Sequence, residues 1–306
     1  MSNTVIKCDT ATLHKLKVAY QPHLTEKQPP NTLFMAKING CTITAYQSGK
    51  VLFQGGHHTE EAAKWGDALQ PTKGSSTPKA STALPQNFST LSVIGSDEVG
   101  TGDFFGPMTV VSAYVSKENI PLIKELGVQD SKNLKDERIV KIAQDILHVI
   151  PYSLLILPNP KYNELQKKGM TQGKMKAILH NKALLNLQRK IDPVRPDAIL
   201  IDQFAQKEVY FRHLKGQKEV CKEDVYFSTK GESVHLAVAA ASILARYAFL
   251  KEWDKLSAKI GFTLPKGAGP IVDKAAARLI RAKGEQALWE YTKVHFANTE
   301  KAKRLL

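Results

Sequence analysis

At 306 residues the chain can bury the core of one large domain and a smaller one. A content of 42% hydrophobic and 24% charged residues excludes a largely disordered or membrane-embedded protein. A formal charge of +14, from 43 Lys and Arg against 29 Asp and Glu, favours a polyanionic partner such as nucleic acid.

The basic excess lies mainly in residues 91 to 306, with 34 basic and 24 acidic groups, against 7 and 5 in residues 1 to 68. Cys8, Cys41 and Cys221 are odd in number, far apart and without Cys-x-x-Cys spacing. They are expected to be buried thiols in a reducing compartment. The first residues show no charged stretch followed by a long apolar run, and no run of about 18 apolar residues occurs, so a cytoplasmic protein off the membrane is expected.

In chain order, residues 33–39 and 42–54 are expected to be strands, with 42–54 folding as a two-residue hairpin at Ser48-Gly49. Pairing Gln47 with Lys50 then sets Thr44, Tyr46, Val51 and Phe53 on one face, and Ile43, Ala45, Lys50, Leu52 and Gln54 on the other. Thr59 is expected to cap a helix over residues 60–65. One sheet face covers a helix, leaving the other as a docking platform. The neighbouring His57-His58 is expected to be a surface pair.

Residues 69–90 hold three prolines, eight Ser or Thr and no acid, and are expected to form a linker between domains at 1–68 and 91–306. As a flexible coil these 22 residues span roughly 25 Å, enough for the two domains to engage one extended ligand.

Beyond it, 91–96 and 108–115 are expected to be strands around a glycine-rich turn. Helices are expected at 137–149, 174–189 and 233–250, and strands at 153–157 and 198–201. The alternation indicates an α/β domain.

Asp97-Glu98 follows an apolar run and precedes Gly100, Gly102 and Gly106. Adjacent side chains on a straight strand face opposite ways, so a bend is expected here to turn both acids toward one cation. Asp202 closes the apolar strand of residues 198–201, at the edge where α/β sheets place their ligands. Glu232 opens the helix expected from residue 233, where the dipole stabilises an acid even without a metal. Each acid taken alone has a structural explanation; together they point to a metal site. Glu232 and His235 form a Glu-x-x-His, with His235 read as lining or supporting that site. Walker, Gly-x-Ser-x-Gly and His-Glu-x-x-His patterns do not occur.

Two resemblances extend this reading. Residues 43–55 followed by Glu60-Glu-Ala-Ala63 resemble one repeat of the TATA-box-binding protein fold, which implies a small α+β nucleic-acid-binding domain. Gly95-Ser-Asp-Glu-Val-Gly-Thr-Gly-Asp-Phe-Phe-Gly-Pro107, Asp130-Ser-Lys-Asn-Leu134, Asp202 and Ala239-Ala-Ala-Ser-Ile-Leu-Ala-Arg246 resemble, in order and spacing, the type 2 ribonucleases H. Gly100-Thr101-Gly102, where the HII branch carries Gly-Arg-Gly, and Glu232, where that branch has Asp, favour the HIII branch.

This resemblance implies a ribonuclease H-like mixed sheet flanked by helices. It also implies an endonuclease that cuts the RNA strand of RNA/DNA hybrids by a two-metal-ion mechanism, leaving 5′-phosphate and 3′-hydroxyl ends. Asp97, Glu98, Asp202 and Glu232 fall on the family's catalytic, metal-binding positions for two Mg2+ or Mn2+ ions. Gly100, Thr101 and Gly102 are expected to meet the ribose, with Ser131, Lys132, Lys174, Lys176 and Lys50 as further substrate contacts. The partner expected is a hybrid duplex, with no membrane, and the chain is read as a monomer. Two alternatives stand beside this reading: HII-like cutting at single embedded ribonucleotides, and a non-catalytic nucleic-acid-binding protein.

Overall fold

The computed structural model describes residues 3–25, 32–66, 84–85, 87–129 and 134–306. The chain divides into two compact units, residues 1–81 and 82–306.

The first unit is an antiparallel sheet of β1 (Asn3–Lys7), β2 (Thr32–Ile38), β3 (Cys41–Tyr46) and β4 (Lys50–Gln54), ordered β1-β4-β3-β2. Helices α1 (Thr10–Ala19) and α2 (His58–Ala63) close one face. Leu16 and Ala62 of these helices pack against Ile6, Phe34, Ala36, Ile43, Ala45, Val51 and Phe53. Burial of these apolar side chains is what holds so small a unit together.

The hairpin register differs from the expected one. Ile43 faces Phe53 and Ala45 faces Val51, because the loop holds three residues, ending in Gly49 at φ +80°. The extra residue shifts the pairing by one position and reverses the faces of one strand. Cys41, Ile43, Ala45, Val51 and Phe53 therefore share the buried face, and Thr42, Tyr46, Lys50, Leu52 and Gln54 the opposite one.

Thr59 does not cap α2. His57 occupies the cap without a side-chain bond, and Thr59 lies inside the helix, with its hydroxyl near the His58 ring. His57 is exposed, but His58 is tied to Thr4 Oγ1 at 2.6 Å, so the histidines are not a free surface pair.

The second unit is a five-stranded mixed sheet ordered β7-β6-β5-β8-β9. It consists of β5 (Val93–Val99), β6 (Met108–Val115), β7 (Tyr152–Leu157), β8 (Ala198–Asp202) and β9 (Val225–Ser228). β5, β6 and β7 are antiparallel in turn, while β8 runs parallel to β5 and β9 parallel to β8.

On one face α4 (Asp136–Ile146) and the 25-residue α8 (Leu236–Ile260) pack on Val93, Val111, Ala113 and Leu200. The alanines of α8 and Gly95 explain how closely that helix crosses: a Cβ at residue 95 would lie 2.2 Å from the Ala237 carbonyl carbon. On the other face α6 (Gln172–Ile191) and α7 (Lys207–His213) cover Ile94, Ile199 and Ile201. A third cluster joins Phe104, Phe105, Phe249 and Trp253 to the C-terminal helices α9 (Pro270–Lys283), α10 (Ala287–Tyr291) and α11 (Asn298–Lys303). The remaining helices are α3 (Ile120–Glu125) and α5 (Asn159–Lys167).

The expected linker ends too late. Phe88 is buried against Tyr226 and His235, and residues 88–90 form a 3-10 turn packed on the second unit. Residues 69–83 and 86 of that segment lie outside the described residues. Replacing Phe88 with Ala should cost about 3 kcal/mol by removing a buried ring. Urea unfolding of the intact chain checks this; a loss below about 0.5 kcal/mol would assign Phe88 to the linker instead.

All three cysteines are buried free thiols. No helix among the described residues is long and apolar enough to cross a membrane.

Candidate active site

β5 continues through the acidic pair instead of bending before it. Asp97 pairs with Val111 and Glu98 with Val110 on β6, whereas pairing with β8 stops at Ser96–Ile201. The expected bend is thus absent, because the ladder to β6 keeps the strand extended, and the two side chains go to opposite faces. Asp97 accepts a hydrogen bond from Ser242 of α8. Glu98 meets Lys176 and His180 of α6.

The two acids consequently have opposite electrostatic settings. Asp97, 9% exposed, is pushed up to about 7 by burial and then by the charges of Glu98 and Asp202, against the pull of Ser242. For Glu98, burial acts upward but is outweighed by the His180 hydrogen bond and the charges of His180 and Lys176, which hold it below the usual carboxylate range. His180 is fully buried, with Nε2 donating to Glu98 Oε2 at 2.9 Å and Nδ1 lying 2.7 Å from Ser96 Oγ. The Lys176 ammonium forms the second ion pair to Glu98 and lies 4.3 Å from the Phe204 ring centre. Lys176, expected as a phosphate contact, is therefore engaged within the site, while Lys174 stands at the N-terminal end of α6.

Asp202 is the last residue of β8, one position beyond its pairing with β5. Its Oδ1 accepts the Gly231 N–H at 2.8 Å, which ties it to the turn that carries Glu232. Glu232 is 6% exposed and sits in that 3-10 turn, Gly231–Ser233, not in the first turn of α8. The helix begins three residues later, because His235 serves as its N-cap: Nδ1 accepts the Ala237 N–H, and Nε2 donates to the Leu91 carbonyl. Burial pulls His235 down to about 4, so it is a neutral structural cap. The helical Glu-x-x-His pairing does not form.

Asp97, Glu98 and Asp202 line one cleft of about 370 Å3, together with Leu134, Asp136, Ser242 and Arg246. At its wall Arg246 and Lys266 both pair with Asp136, at 3.0 and 2.6 Å. Among the described residues no three Asp, Glu, His or Cys side chains are grouped tightly enough to share one ion. The site is a set of neighbouring acids, with Glu98 already balanced by α6. Sequence reasoning assigned no role to His180, Ser242, Asp136 or Lys266; Ser242 lay within the quoted motif 239–246, and His180 stands four residues after Lys176 on one helix face, while Asp136 and Lys266 left no signal.

The glycine loop after β5 separates into two kinds of position. Gly100, at φ +93°, would place a Cβ 2.3 Å from the Pro107 carbonyl, so the fold itself demands it. A Cβ at residue 102 would meet no protein atom within 4 Å, and the backbone there is not left-handed. The fold thus leaves Gly102 free, and an approaching ligand is the reason open to it. Gly100→Ala should cost about 2 kcal/mol or more, and Gly102→Ala within about 0.5 kcal/mol of nothing, in urea unfolding. Equal effects would remove the distinction. Ser131 and Lys132 lie outside the described residues. Lys50 is exposed at the start of β4, across from Lys7.

Comparison with known proteins shows the family. The family described as Ribonuclease HII matches residues 94–299, and a Domain of unknown function (DUF3378) matches residues 3–78. The protein of Bacillus subtilis (strain 168) called Ribonuclease HIII is 59% identical over 308 residues, covering 100% of this chain and 98% of its own. Its counterpart of the same name from Bacillus cereus (strain ATCC 10987 / NRS 248) is 57% identical, covering 100% of both. Among solved structures, Bst-RNase HIII in complex with Mn2+ is 48% identical, with a TM-score of 0.71 over 99% of each chain. Aquifex aeolicus RNase H3, 22% identical with a TM-score of 0.54 over 95% of this chain and 99% of its own, shares the fold. With a ribonuclease H-like sheet and full-length relatives at this identity, the chain belongs to the ribonuclease HIII family and is a hydrolase of the ribonuclease H type.

Proposed function

We propose that the chain cuts the RNA strand of RNA/DNA hybrids, and that Asp97, Glu98, Asp202 and Glu232 hold two divalent cations, Mg2+ or Mn2+. Cleavage leaves 5′-phosphate and 3′-hydroxyl ends. The observation that carries this reading is the cleft shared by Asp97, Glu98 and Asp202, with Glu232 on the turn bonded to Asp202.

The donor set fits hard cations, which prefer carboxylate oxygens. Asp97 resists ionisation because it is buried and lies beside Glu98 and Asp202, and a nearby divalent charge would offset both effects. When bound, such ions supply Lewis-acid stabilisation of the phosphodiester and a more acidic attacking water. The chain's own groups orient the ligands: Ser242 on Asp97, His180 and Lys176 on Glu98, and the Gly231 N–H on Asp202. Lys176, paired with Glu98, would have to yield part of that carboxylate to a cation held there.

Gly102, open to approach, is the backbone position at which a ribose 2′-hydroxyl is read. Readout through backbone and sugar gives cutting without base-sequence preference. Thr101 at the loop centre supports preference for ribonucleotide runs over single embedded ribonucleotides, and Lys50, Ser131 and Lys132 contribute phosphate contacts. The chain works as a monomer in the cytoplasm.

End analysis tests this reading. A labelled hybrid should be cut with Mg2+ or Mn2+ to fragments bearing 5′-phosphates, and a duplex with four consecutive ribonucleotides should be cut faster than one with a single ribonucleotide. Fragments with 3′-phosphates, or preference for the single ribonucleotide, would refute it.

A further inference from the structure

Outside the acid cluster, Lys293 is the buried charged group with the most elaborate setting. Its side chain is fully buried, and Nζ donates to the carbonyls of Asp103 at 2.8 Å and Gly106 at 2.6 Å. These two residues bracket the turn that directly follows Gly100-Thr101-Gly102.

The backbone repeats the attachment. The Lys293 N–H donates to the Phe104 carbonyl at 2.8 Å, and Thr292 bridges to Phe105. The Gly106 N–H reaches the Tyr291 carbonyl, and the Gly267 N–H donates to Asp103 Oδ1 at 2.6 Å. From the opposite side Gln172 Nε2 donates to the Thr101 carbonyl and to Tyr162 Oη, both at 3.0 Å. The Tyr162 ring lies 5.8 Å from the Lys293 ammonium. Hydrogen bonds thus hold the loop at Thr101, Asp103, Phe104 and Gly106, on both sides of Gly102 in sequence.

Burying an ammonium this completely is costly. Burial pulls Lys293 down to about 7, against the opposing charge of Asp103. Methionine would fill the volume without that cost but would leave the Asp103 and Gly106 carbonyls without this donor.

We propose that Lys293 is a positioning residue that sets the backbone of residues 100–106, so that Gly102 meets the ribose of the RNA strand at the correct distance. The proposal rests on the ribose-reading role of Gly102 given above. Lys293 touches neither substrate nor metal and acts only through the loop.

The test compares duplex binding and amide exchange in the full chain without divalent metal, where nothing is cut. Wild-type protein should bind an RNA/DNA hybrid at least about tenfold more tightly than a DNA duplex of the same sequence. In Lys293→Met that ratio should fall to within about threefold, with DNA-duplex affinity unchanged and amide exchange of Phe104 and Gly106 at least about tenfold faster. A role in stability alone would lower the folded fraction without moving the ratio.

A folded Lys293→Met variant with its ratio intact overturns the proposal, whether or not exchange is faster, as does equal loss of affinity for both duplexes. If Lys293→Met does not fold, Lys293→Gln, whose shorter side chain reaches one carbonyl, should lower the ratio at least about threefold; an unchanged ratio overturns the proposal. Wild-type protein without any preference would overturn the ribose reading and this proposal together. Metal-dependent cutting of the hybrid by wild-type protein is scored separately, so the two failures are distinguishable.

Discussion

Asp97→Asn should lower hybrid cleavage at least about 10³-fold while changing hybrid affinity by less than about threefold. On the proposed reading the carboxylate would hold an ion that stabilises the transition state, whereas duplex binding would be spread over many phosphate and sugar contacts. The same substitution should raise the stability of the metal-free protein.

Folded Asp97 ionises at about 7, far above an unfolded aspartate. Its contribution favours the folded state fully below the unfolded pKa and is lost as pH rises through about 7. Without metal, wild-type stability should therefore decline between pH 4 and 7, and the Asn variant should be flatter and, at pH 8, more stable by of order 2–4 kcal/mol. Melting curves in a chelator, with single-turnover cleavage alongside, check both halves. Near-normal turnover in the variant would reject Asp97 as a ligand, and an unchanged melting profile would reject its electrostatic strain.

Removing residues 1–81 should weaken hybrid binding by about 10²-fold and raise KM in step, with kcat within about threefold of the intact chain. The second unit retains its own sheet, clusters and all four acids, so its chemistry survives. What is lost is a sheet face that no helix of its own unit covers. Val5, Met35, Tyr46 and Leu52 lie on it beside Lys7, Lys37 and Lys50. Apolar and cationic groups mixed on one sheet face suit sugar and phosphate contacts along a duplex. Equal affinity with and without residues 1–81, measured by anisotropy at fixed salt, would deny the first unit a binding role.

What could be read in the sequence was what depends on neighbours along the chain. The apolar run before Asp202, the alanines of α8 and the acidic pair beside its glycines all declare themselves within a few residues. Features settled by distant contacts did not. The hairpin register turned on a third loop residue, which moved Val51 and Phe53 onto the buried face with Ile43 and Ala45. β1 and α1 were missed: a five-residue edge strand and a helix with one buried residue carry little pattern. Phe88 looked like linker because its partners, Tyr226 and His235, stand far along the chain. His235 looked like a possible site residue because a capping histidine and a lining one read alike in sequence.

The site shows the same division. That Asp97, Glu98 and Asp202 come together could be read in the sequence, but their opposed charge settings could not, because α6 and α8 reach β5 from different faces. Burial and the charges of Glu98 and Asp202 strain Asp97 against the pull of Ser242, while His180 and Lys176 balance Glu98.

The most direct test of the four-carboxylate site counts bound ions. Mn2+ titrated into the full chain and followed by electron paramagnetic resonance, with a non-cleavable hybrid present, should show two ions per chain. Occupancy should fall in Asp97→Asn, Asp202→Asn and Glu232→Gln, and be nearly abolished when all four acids are neutralised. Full Mn2+ occupancy in that fourfold variant would contradict the account.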